Sequence, residues 1–181
     1  METISTEYLR EQRYLHQNPN YGIASIHFAE EVDALIGHMA AQTITDYGAG
    51  KKNLKKALDS RGVNGYVYQA FDPVFPEYGD ALEADLVCCI DVLEHVEPHL
   101  LGNVLADLRR VTKNIGFFTV HTGPAVKTLS DGRNAHLIQQ SATWWLTKLS
   151  SYFRIGHVEY YEGLGKGFKV LVGVKSTALA N

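Results

Sequence analysis

Two segments that place an acidic residue at the end of a predicted strand constrain the fold of this chain most strongly. Residues 43–47 form a short strand that contains Asp46 and runs into the turn Gly48-Ala49-Gly50. Residues 85–90 are almost uninterruptedly apolar and lead directly to Asp91. Such apolar runs are typical of strands covered on both faces, as in parallel sheets. The two segments therefore predict parallel strands whose carboxyl ends offer a ligand site at one edge of a sheet.

Helical and extended patterns alternate along the chain. A first helix ends before Asn18-Pro19-Asn20, and further helices are predicted over 25–40, 51–60, 97–112 and 140–152. Strands are predicted over 43–47, 65–71, 85–90, 115–121, 153–161 and 167–175. This alternation predicts an α/β sandwich with a mostly parallel central sheet, and the last two strands are expected to pair as an antiparallel C-terminal hairpin.

The periodicity of the second helix places five apolar side chains on one side, which we expect to be buried: Ile26, Ala29, Val32, Ile36 and Met39. We expect residues 1–181 to form a single domain. Within it, the N-terminal helices over 1–42 are expected to cover the site, and residues 43–175 to form the core.

Composition and charge exclude several classes of protein. The 181 residues are 45% hydrophobic, enough for one core, and the net charge of −3 argues against a nucleic-acid-binding protein. The chain has no apolar run of 18 residues and no secretory leader pattern, so we expect a soluble, cytoplasmic protein without a membrane segment. Cys88 and Cys89 should point to opposite faces of a strand and stay reduced. A homodimer is compatible with these features.

The glycine turn and the strand after it suit a nucleoside-bearing cofactor. Gly48 and Gly50 carry no Cβ, so the backbone can turn sharply and approach a ligand closely. The helix that follows offers unpaired N–H groups and the positive end of its dipole. Asp72 ends the next strand, where an acidic side chain can accept hydrogen bonds from ribose hydroxyls. A dinucleotide fingerprint would require glycine in place of Asn53, which weakens an interpretation with NAD or FAD.

These segments resemble the class I S-adenosylmethionine-dependent methyltransferases. The matching stretches are residues 46–52, Asp72-Pro73 and the D-V-L-E-H segment that begins at Asp91, and the resemblance covers residues 40–175. It implies a Rossmann-like methyltransferase sandwich, S-adenosylmethionine as the cofactor and S-adenosylhomocysteine as the product. The cofactor-binding residues expected from it are Asp46, Gly48, Ala49, Gly50, Asp72, Ile90 and Asp91, and Tyr21 is a further candidate that would cover the cofactor.

The chain departs from the family pattern in two places. Lys52 stands where the family has its third glycine. The segment between Asp72 and Asp85 is short, so the usual third strand is expected to be vestigial or missing. The pattern does not place the residue that contacts adenine, and the nearest candidates are Glu77, Tyr78 and Asp80.

The acceptor side of the site is predicted from two segments rich in polar groups. His121 ends the fifth strand of the family pattern, and His136 closes the loop 123–136. Both are candidates for the general base, because the ordinary pKa of histidine lies near working pH. The alternative is that they bond to the backbone and hold the loop closed.

Three further residues are candidates for binding the substrate. Arg133 and Asn134 lie in the loop 123–136, and Trp144 lies on the helix that follows. Arg133 would bind a carboxylate or phosphate, or else pair with Asp131. Trp144 would cover the mouth of the site, since only one of two adjacent helical tryptophans can point fully inward.

Glu94 and His95 are interpreted as structural residues at the start of a connection, with a catalytic role as the alternative. His95 and His99 have the H-x-x-x-H spacing of some metal sites. Pro98 lies between them and no third ligand is near in sequence, so no metal site is expected.

The favoured function is methyl transfer to a small-molecule acceptor, such as a sugar or another metabolite, by in-line displacement. Two alternatives stay open: a nucleic-acid methyltransferase, and a non-catalytic module that binds S-adenosylmethionine. The amino-methylating enzymes of DNA carry a [D/N/S]-P-P-[Y/F/W] motif where this chain has residues 91–94, D-V-L-E. The first alternative therefore loses its main support.

Overall fold

The structure, a computed structural model, describes residues 2–163 and 165–175. The strands are β1 (Thr43–Tyr47), β2 (Val67–Phe71), β3 (Ala84–Ile90), β4 (Thr112–His121), β5 (Phe153–Tyr161) and β6 (Gly167–Val174). The α-helices are α1 (Thr6–His16), α2 (Ala29–Met39), α3 (Asn53–Ser60), α4 (Leu101–Val111) and α5 (Ala142–Tyr152). Short 3₁₀ helices cover Ala24–Phe28, Pro76–Tyr78 and Leu93–His95.

All six strands form one sheet in the order β2-β1-β3-β4-β6-β5. Pairing is parallel from β2 to β4, and β6 runs antiparallel to both β4 and β5. The prediction of a mostly parallel sheet with a C-terminal hairpin at its edge is confirmed. Residues 72–83, which join β2 to β3, contain a 3₁₀ turn and no strand. The third strand of the family pattern is therefore missing, and β2 is the outer strand.

The hydrophobic core has two halves, one on each face of the sheet. One half contains Cys89 together with the buried faces of α4 and α5. The other contains Cys88 together with the buried faces of α2 and α3. Both thiols are buried and free. The alternation of β3 thus places the two adjacent cysteines on opposite faces, as predicted.

All four helices with a predicted range begin later than their patterns predict, and α4 begins at Leu101 and α5 at Ala142. Helix α3 begins at Asn53 because Lys52 has a φ of 58°, in the left-handed region that ends regular helix geometry. Helix α2 begins at Ala29, after the 3₁₀ segment Ala24–Phe28. A 3₁₀ helix has three residues per turn, so Ile26 does not continue the inward face of α2. Its side chain is 47% exposed, and the prediction that it is buried was wrong.

The N-terminal segment and the loop after β4 pack on each other above the carboxyl ends of the strands. A small apolar cluster joins Tyr8 and Leu15 of α1 to Leu129 and Ala135 of the loop. The backbone N–H of Ser130 donates to Glu11 at 3.1 Å, which fastens the loop to α1. The two segments therefore form a wall over the ligand edge of the sheet.

Within the described ranges, none of the helices combines the length and the apolar character needed to cross a bilayer.

Candidate active site

A cavity of about 440 Å³ lies at the carboxyl ends of β1, β2, β3 and β4, a size typical of small-molecule sites. We call one part the glycine-loop end, formed by residues 46–50, 72–74 and 90–92. We call the other part the histidine end, formed by His95, His121 and His136 with Tyr8, Gln12 and Glu97. The predicted cofactor-binding residues all line the cavity: Asp46, Gly48, Ala49, Gly50, Asp72, Ile90, Asp91 and Tyr21.

The glycine turn needs glycine at its first position. Gly48 has a φ of 78°, and a Cβ there would collide with the side chain of Val92. The backbone N–H groups of Gly48 and Ala49 both donate to the carbonyl of Phe71, at 2.8 and 3.0 Å. The turn is therefore fixed against β2 by its own amides.

Asp72 ties the glycine turn to the end of β2. Its Oδ2 accepts the N–H of Gly50 at 2.8 Å, and its Oδ1 accepts the N–H of Val74 at 2.8 Å. Burial raises the pKa of the Asp72 carboxyl, and these two bonds oppose the rise. Each oxygen keeps a lone pair with which it can accept a hydrogen bond from a ligand hydroxyl.

Asp46 is a buried acid at the floor of the same end. It is 3% exposed and accepts a hydrogen bond from the hydroxyl of Tyr68. Burial raises its pKa to about 7, a rise that the Tyr68 bond opposes and the nearby Asp72 increases. A cationic ligand group beside Asp46 would favour the ionised form and offset the cost of burying it.

Lys52 keeps the backbone conformation that a glycine would adopt at this position, with a φ of 58°. Its Nζ lies 3.9 Å from the centre of the Tyr78 ring, a cation–π contact. The Tyr78 hydroxyl donates to the carbonyl of Gly50 at 3.0 Å. Tyr78 therefore supports the glycine turn from outside, and neither it nor Glu77 or Asp80 lines the cavity.

Asp91 follows β3 with a φ of 51°. Its N–H donates to the hydroxyl oxygen of Thr119 at 3.0 Å, and its Oδ1 accepts the Thr119 hydroxyl at 2.6 Å. This paired contact fixes the end of β3 to β4. Ile90 and Asp91 both line the cavity at this strand end.

Three N-terminal side chains form a hydrogen-bonded chain along the cavity. The Tyr21 hydroxyl donates to Gln12 Oε1 at 3.0 Å, and Gln12 Nε2 donates to the Tyr8 hydroxyl at 2.6 Å. Sequence reasoning named Tyr21 alone, because the N-terminal segment carries no motif. The only available signal was the buried position of Tyr8 and Gln12 on the inward face of α1.

His16 is a third N-terminal residue, after Tyr8 and Gln12, that the sequence did not single out. Its ring packs edge-on against Tyr21 and Phe75, with centroid distances of 5.0 and 5.2 Å. Burial, with a smaller effect of Lys51, lowers its pKa to about 4. Its Nδ1 is buried and has no hydrogen-bond partner within the described part of the chain.

At the histidine end, the imidazole rings of His95 and His136 pack edge to face with their centroids 4.7 Å apart. The Nδ1 of His136 donates to the carbonyl of Gly123 at 2.7 Å, and the Nδ1 of His95 donates to the carbonyl of Ala135 at 2.8 Å. A carbonyl only accepts, so each ring carries its proton on Nδ1 and keeps a lone pair on Nε2. Burial lowers the pKa of both rings, that of His95 to about 3.

His121 lies in the same group but its ring is engaged by the backbone. Its Nδ1 accepts the N–H of Gly123 at 3.2 Å. Its Nε2 packs against Gly165, where a side-chain methyl group would collide with it. Of the two alternatives for His121, this geometry matches the one in which it holds the loop.

Glu94 supports this arrangement from beneath. It is fully buried, and its Oε1 accepts the backbone N–H of His121 at 2.8 Å. Burial, and then the neighbouring Asp91, raise the pKa of Glu94 far above its ordinary value. Glu94 does not line the cavity, which matches a structural role. His95, for which the sequence left a catalytic role as the alternative, does line the cavity.

The three predicted substrate-binding residues do not line the cavity. Arg133 is exposed, and its Nε donates to Asp131 at 2.6 Å, the alternative that the sequence left open. Asn134 closes the loop on itself, since its Oδ1 accepts the N–H groups of Ala125 and His136 at 2.9 Å each. Trp144 packs against the core and lies under Lys148. Loop closure, which spacing cannot predict, turns Arg133 and Asn134 away, whereas Trp144 is placed by α5.

No protein-family model and no curated protein sequence matches the chain. Solved structures do match. One is the 1,6-didemethyltoxoflavin-N1-methyltransferase of Burkholderia thailandensis with bound 1,6-didemethyltoxoflavin and S-adenosylhomocysteine, at a TM-score of 0.64 and 14% identity over 97% of this chain and 92% of that one. Another is the mitomycin 7-O-methyltransferase MmcR, with a TM-score of 0.62 and 16% identity over 83% of this chain and 54% of that one.

A third match acts on a different kind of molecule. The 16S rRNA methylase RmtB has a TM-score of 0.53 and 14% identity over 96% of this chain and 77% of its own. At these identities the similarity concerns the fold and leaves the substrate open. The chain therefore has the Rossmann-like fold of the S-adenosylmethionine-dependent methyltransferases.

Proposed function

We propose that this protein transfers a methyl group from S-adenosylmethionine to a small-molecule acceptor. The observation that carries the proposal is the glycine-loop end, where two buried carboxyl groups flank a turn that has no room for a side chain at its first position, Gly48. Asp46 and Asp72 are 3% and 7% exposed, and the turn between them presents Gly48 to the cavity. This is a site for a ligand that carries both hydroxyl groups and positive charge.

The residues present fit this cofactor. The free lone pairs of Asp72 are suited to the two ribose hydroxyls. Asp46 is suited to the ammonium group of the methionine part, because a buried acid whose pKa is raised to about 7 gains most from a cation. When bound, the cofactor supplies a methyl group activated by a sulfonium. Ile90 and Asp91 then line the path from this group toward the histidine end.

The histidine end would hold and deprotonate the acceptor. His136 presents an unprotonated Nε2 to the cavity, with its Nδ1 held by Gly123 at 2.7 Å. A hydroxyl or N–H acceptor must lose a proton during methylation, and a fixed imidazole can take it. His136 is therefore our candidate general base. His121, the second candidate from the sequence, would position the loop instead.

The overall arrangement supports further parts of the proposal. Residues 3–25 contribute one wall of the cavity, which supports their role as a cover for the core. We further propose that the protein acts in the cytoplasm, in keeping with its buried, free thiols.

Calorimetric titration with S-adenosylmethionine and S-adenosylhomocysteine tests the cofactor assignment. Both should bind, and Asp72→Ala should weaken binding by about tenfold to 100-fold, because charge-assisted hydrogen bonds to the ribose are lost. Asp80→Ala is the matched control, an exposed acid in the same connection that should bind as wild type does. If neither compound binds the wild-type protein, the proposed function is wrong.

The non-catalytic alternative is separated from the enzyme by turnover. A binding module would retain the cofactor without releasing S-adenosylhomocysteine in the presence of a metabolite panel. A nucleic-acid methyltransferase would instead release it with RNA or DNA and show steep salt dependence of binding. The lining of the cavity, which contains four acidic side chains and no lysine or arginine, favours the small-molecule acceptor over a polyanion.

A further inference from the structure

The charges around the cavity are all of one sign. Four of the residues that line it are acidic, and none is lysine or arginine: the acids are Asp46, Asp72, Asp91 and Glu97. Three cations lie near and are engaged elsewhere, and Lys52 Nζ lies 3.9 Å from the centre of the Tyr78 ring. Lys51 donates to the carbonyls of Asn18 and Pro19 at 2.6 and 3.1 Å. Arg133 is exposed and pairs with Asp131 at 2.6 Å. A carboxylate or phosphate acceptor at the histidine end would therefore find no lysine or arginine as a counter-charge.

The acceptor part of the cavity is otherwise apolar and aromatic. Ile4, Val96 and Val104 line it beside the rings of Tyr8 and Tyr21. Val126 lines its mouth and is fully exposed to solvent. Apolar walls of this kind bind the flat or hydrophobic body of a ligand rather than a strongly hydrated one.

The polar groups that remain open at the histidine end suit a neutral donor. The Nε2 atoms of His95 and His136 have no hydrogen-bond partner within residues 2–163 and 165–175. Each can only accept a proton or a hydrogen bond, since the ring proton is on Nδ1. Tyr8 accepts from Gln12 at 2.6 Å, which leaves its own O–H free to donate to a ligand carbonyl or ring nitrogen. A ligand with an uncharged O–H or N–H beside a carbonyl oxygen or ring nitrogen fits this arrangement. Its O–H or N–H can donate to a histidine Nε2, and its oxygen or ring nitrogen can accept from Tyr8.

We propose that the methyl acceptor is an uncharged, largely apolar ring compound whose hydroxyl or ring N–H contacts His136 Nε2. This inference rests on the proposed function and names its substrate class. The acceptor's oxygen or nitrogen bonds to the methyl carbon as the carbon–sulfur bond breaks, and that electron pair stays on sulfur. The acceptor's proton passes to His136 Nε2, whose lone pair forms the new N–H bond.

A protonated amine is the main competing acceptor, because Asp91 and Glu97 line the cavity. Asp91 Oδ1 accepts the Thr119 hydroxyl at 2.6 Å and the Tyr161 hydroxyl at 3.5 Å. Glu97 Oε2 accepts the backbone N–H of Ser5 at 2.7 Å. Each carboxyl group thus has one oxygen engaged within the described residues and the other open to a ligand. An ammonium acceptor would still have to lose a proton before its nitrogen had a lone pair for the methyl carbon, whereas a neutral acceptor needs only the open imidazole lone pair.

Four compounds on one ring system test the proposal by binding: 2-naphthol, 2-naphthoate, 2-naphthyl phosphate and 2-naphthylmethylamine. Each is titrated calorimetrically into the intact protein saturated with S-adenosylhomocysteine. Naphthol should bind, and each charged analogue should bind at least about tenfold more weakly, because burying its charge costs more than burying a neutral hydroxyl. Failure of S-adenosylhomocysteine itself to bind would instead count against the proposed function.

Variants separate contact with His136 from general loss of structure. His136→Ala should weaken naphthol binding at least about fivefold while S-adenosylhomocysteine still binds, since one hydrogen bond to the ligand is lost. His99→Ala, at an exposed histidine, should leave both affinities as in wild type. The proposal is overturned if no compound binds, if a charged analogue equals naphthol, or if His136→Ala leaves naphthol binding intact.

Discussion

The two ends of the cavity are built in different ways. The glycine-loop end comes from residues 46–50, 72–74 and 90–92, each at the carboxyl end of a strand, and backbone N–H groups hold it together. The histidine end comes from α1, from the 3₁₀ turn Leu93–His95 and from the loop after β4, which are distant in sequence. Strand ends of a parallel sheet fix the first end locally, whereas the second depends on how separate segments pack.

The largest expected effect tests the ionisation of the glycine-loop end. The folded-state pKa of Asp46 is raised to about 7, above its unfolded value of 3.8. Its stabilising contribution is therefore present below pH 3.8 and is lost as the pH rises through 7. The unfolding free energy of Asp46→Asn minus that of wild type should therefore increase by roughly 4 kcal/mol from pH 4 to pH 8. Urea denaturation at both pH values measures it.

The same substitution should weaken S-adenosylmethionine binding at pH 8, where the wild-type carboxylate meets the ammonium group. Asp59→Asn, at an exposed acid of α3, is the control for loss of charge. Equal pH slopes of stability in wild type and Asp46→Asn would show that this acid is not held protonated.

A prediction of intermediate size concerns the shape of the glycine turn. Gly48→Ala should destabilise the protein by about 3 kcal/mol, because a positive φ is combined with a collision with Val92. Gly62→Ala is the matched control, with a φ of 77° and no atom within 4 Å of the added Cβ. It should cost only about 1 kcal/mol for the backbone strain. Equal costs in thermal or urea denaturation would mean that Val92 moves aside freely.

The glycine-loop end was predictable because its information is local. Asp46, Gly48, Gly50 and Asp72 are recognised from their spacing after short strands, and each lines the cavity as expected. The same local patterns placed the six strands and the C-terminal hairpin. Helix starts were less accurate, because a single backbone angle, the φ of Lys52, decides where α3 begins.

The smallest expected effect tests the histidine end and has the opposite pH dependence. The folded-state pKa of His95 is lowered from 6.5 to about 3 by burial and by His136, with smaller effects of His16 and His121 and an opposing bond to Ala135. The stability that it contributes is lost as the pH falls below 6.5. When the pH falls from 7 to 5, the unfolding free energy of wild type should decrease by about 2 kcal/mol more than that of His95→Gln.

Denaturation of both proteins at the two pH values measures this difference, and His99→Gln should show the wild-type slope because its side chain is exposed. A His95→Gln slope that matches wild type would mean that the ring titrates normally in the folded protein. Together with Asp46→Asn, the result shows whether the two ends drive stability in opposite directions with pH.

The histidine end could be predicted only in part, since its geometry is tertiary. His136 was recognised as a candidate, but the turn closed by Asn134 also turns Arg133 into solvent, and spacing does not encode this. His95 was assigned a structural role because the 3₁₀ turn that directs it into the cavity has no sequence signal of its own. His16 escaped notice because nothing local marks the end of α1 as a contact with the glycine turn.

Left-handed backbone at two non-glycine residues bears on how this sequence can vary. Lys52 and Asp91 have φ values of 58° and 51°; Asp91 belongs to the glycine-loop end, and Lys52 lies two residues after its turn. Glycine, asparagine and aspartate tolerate this region, whereas β-branched residues are strongly disfavoured there. In evolutionary drift, these two positions should exchange among such permissive residues and reject valine, isoleucine and threonine.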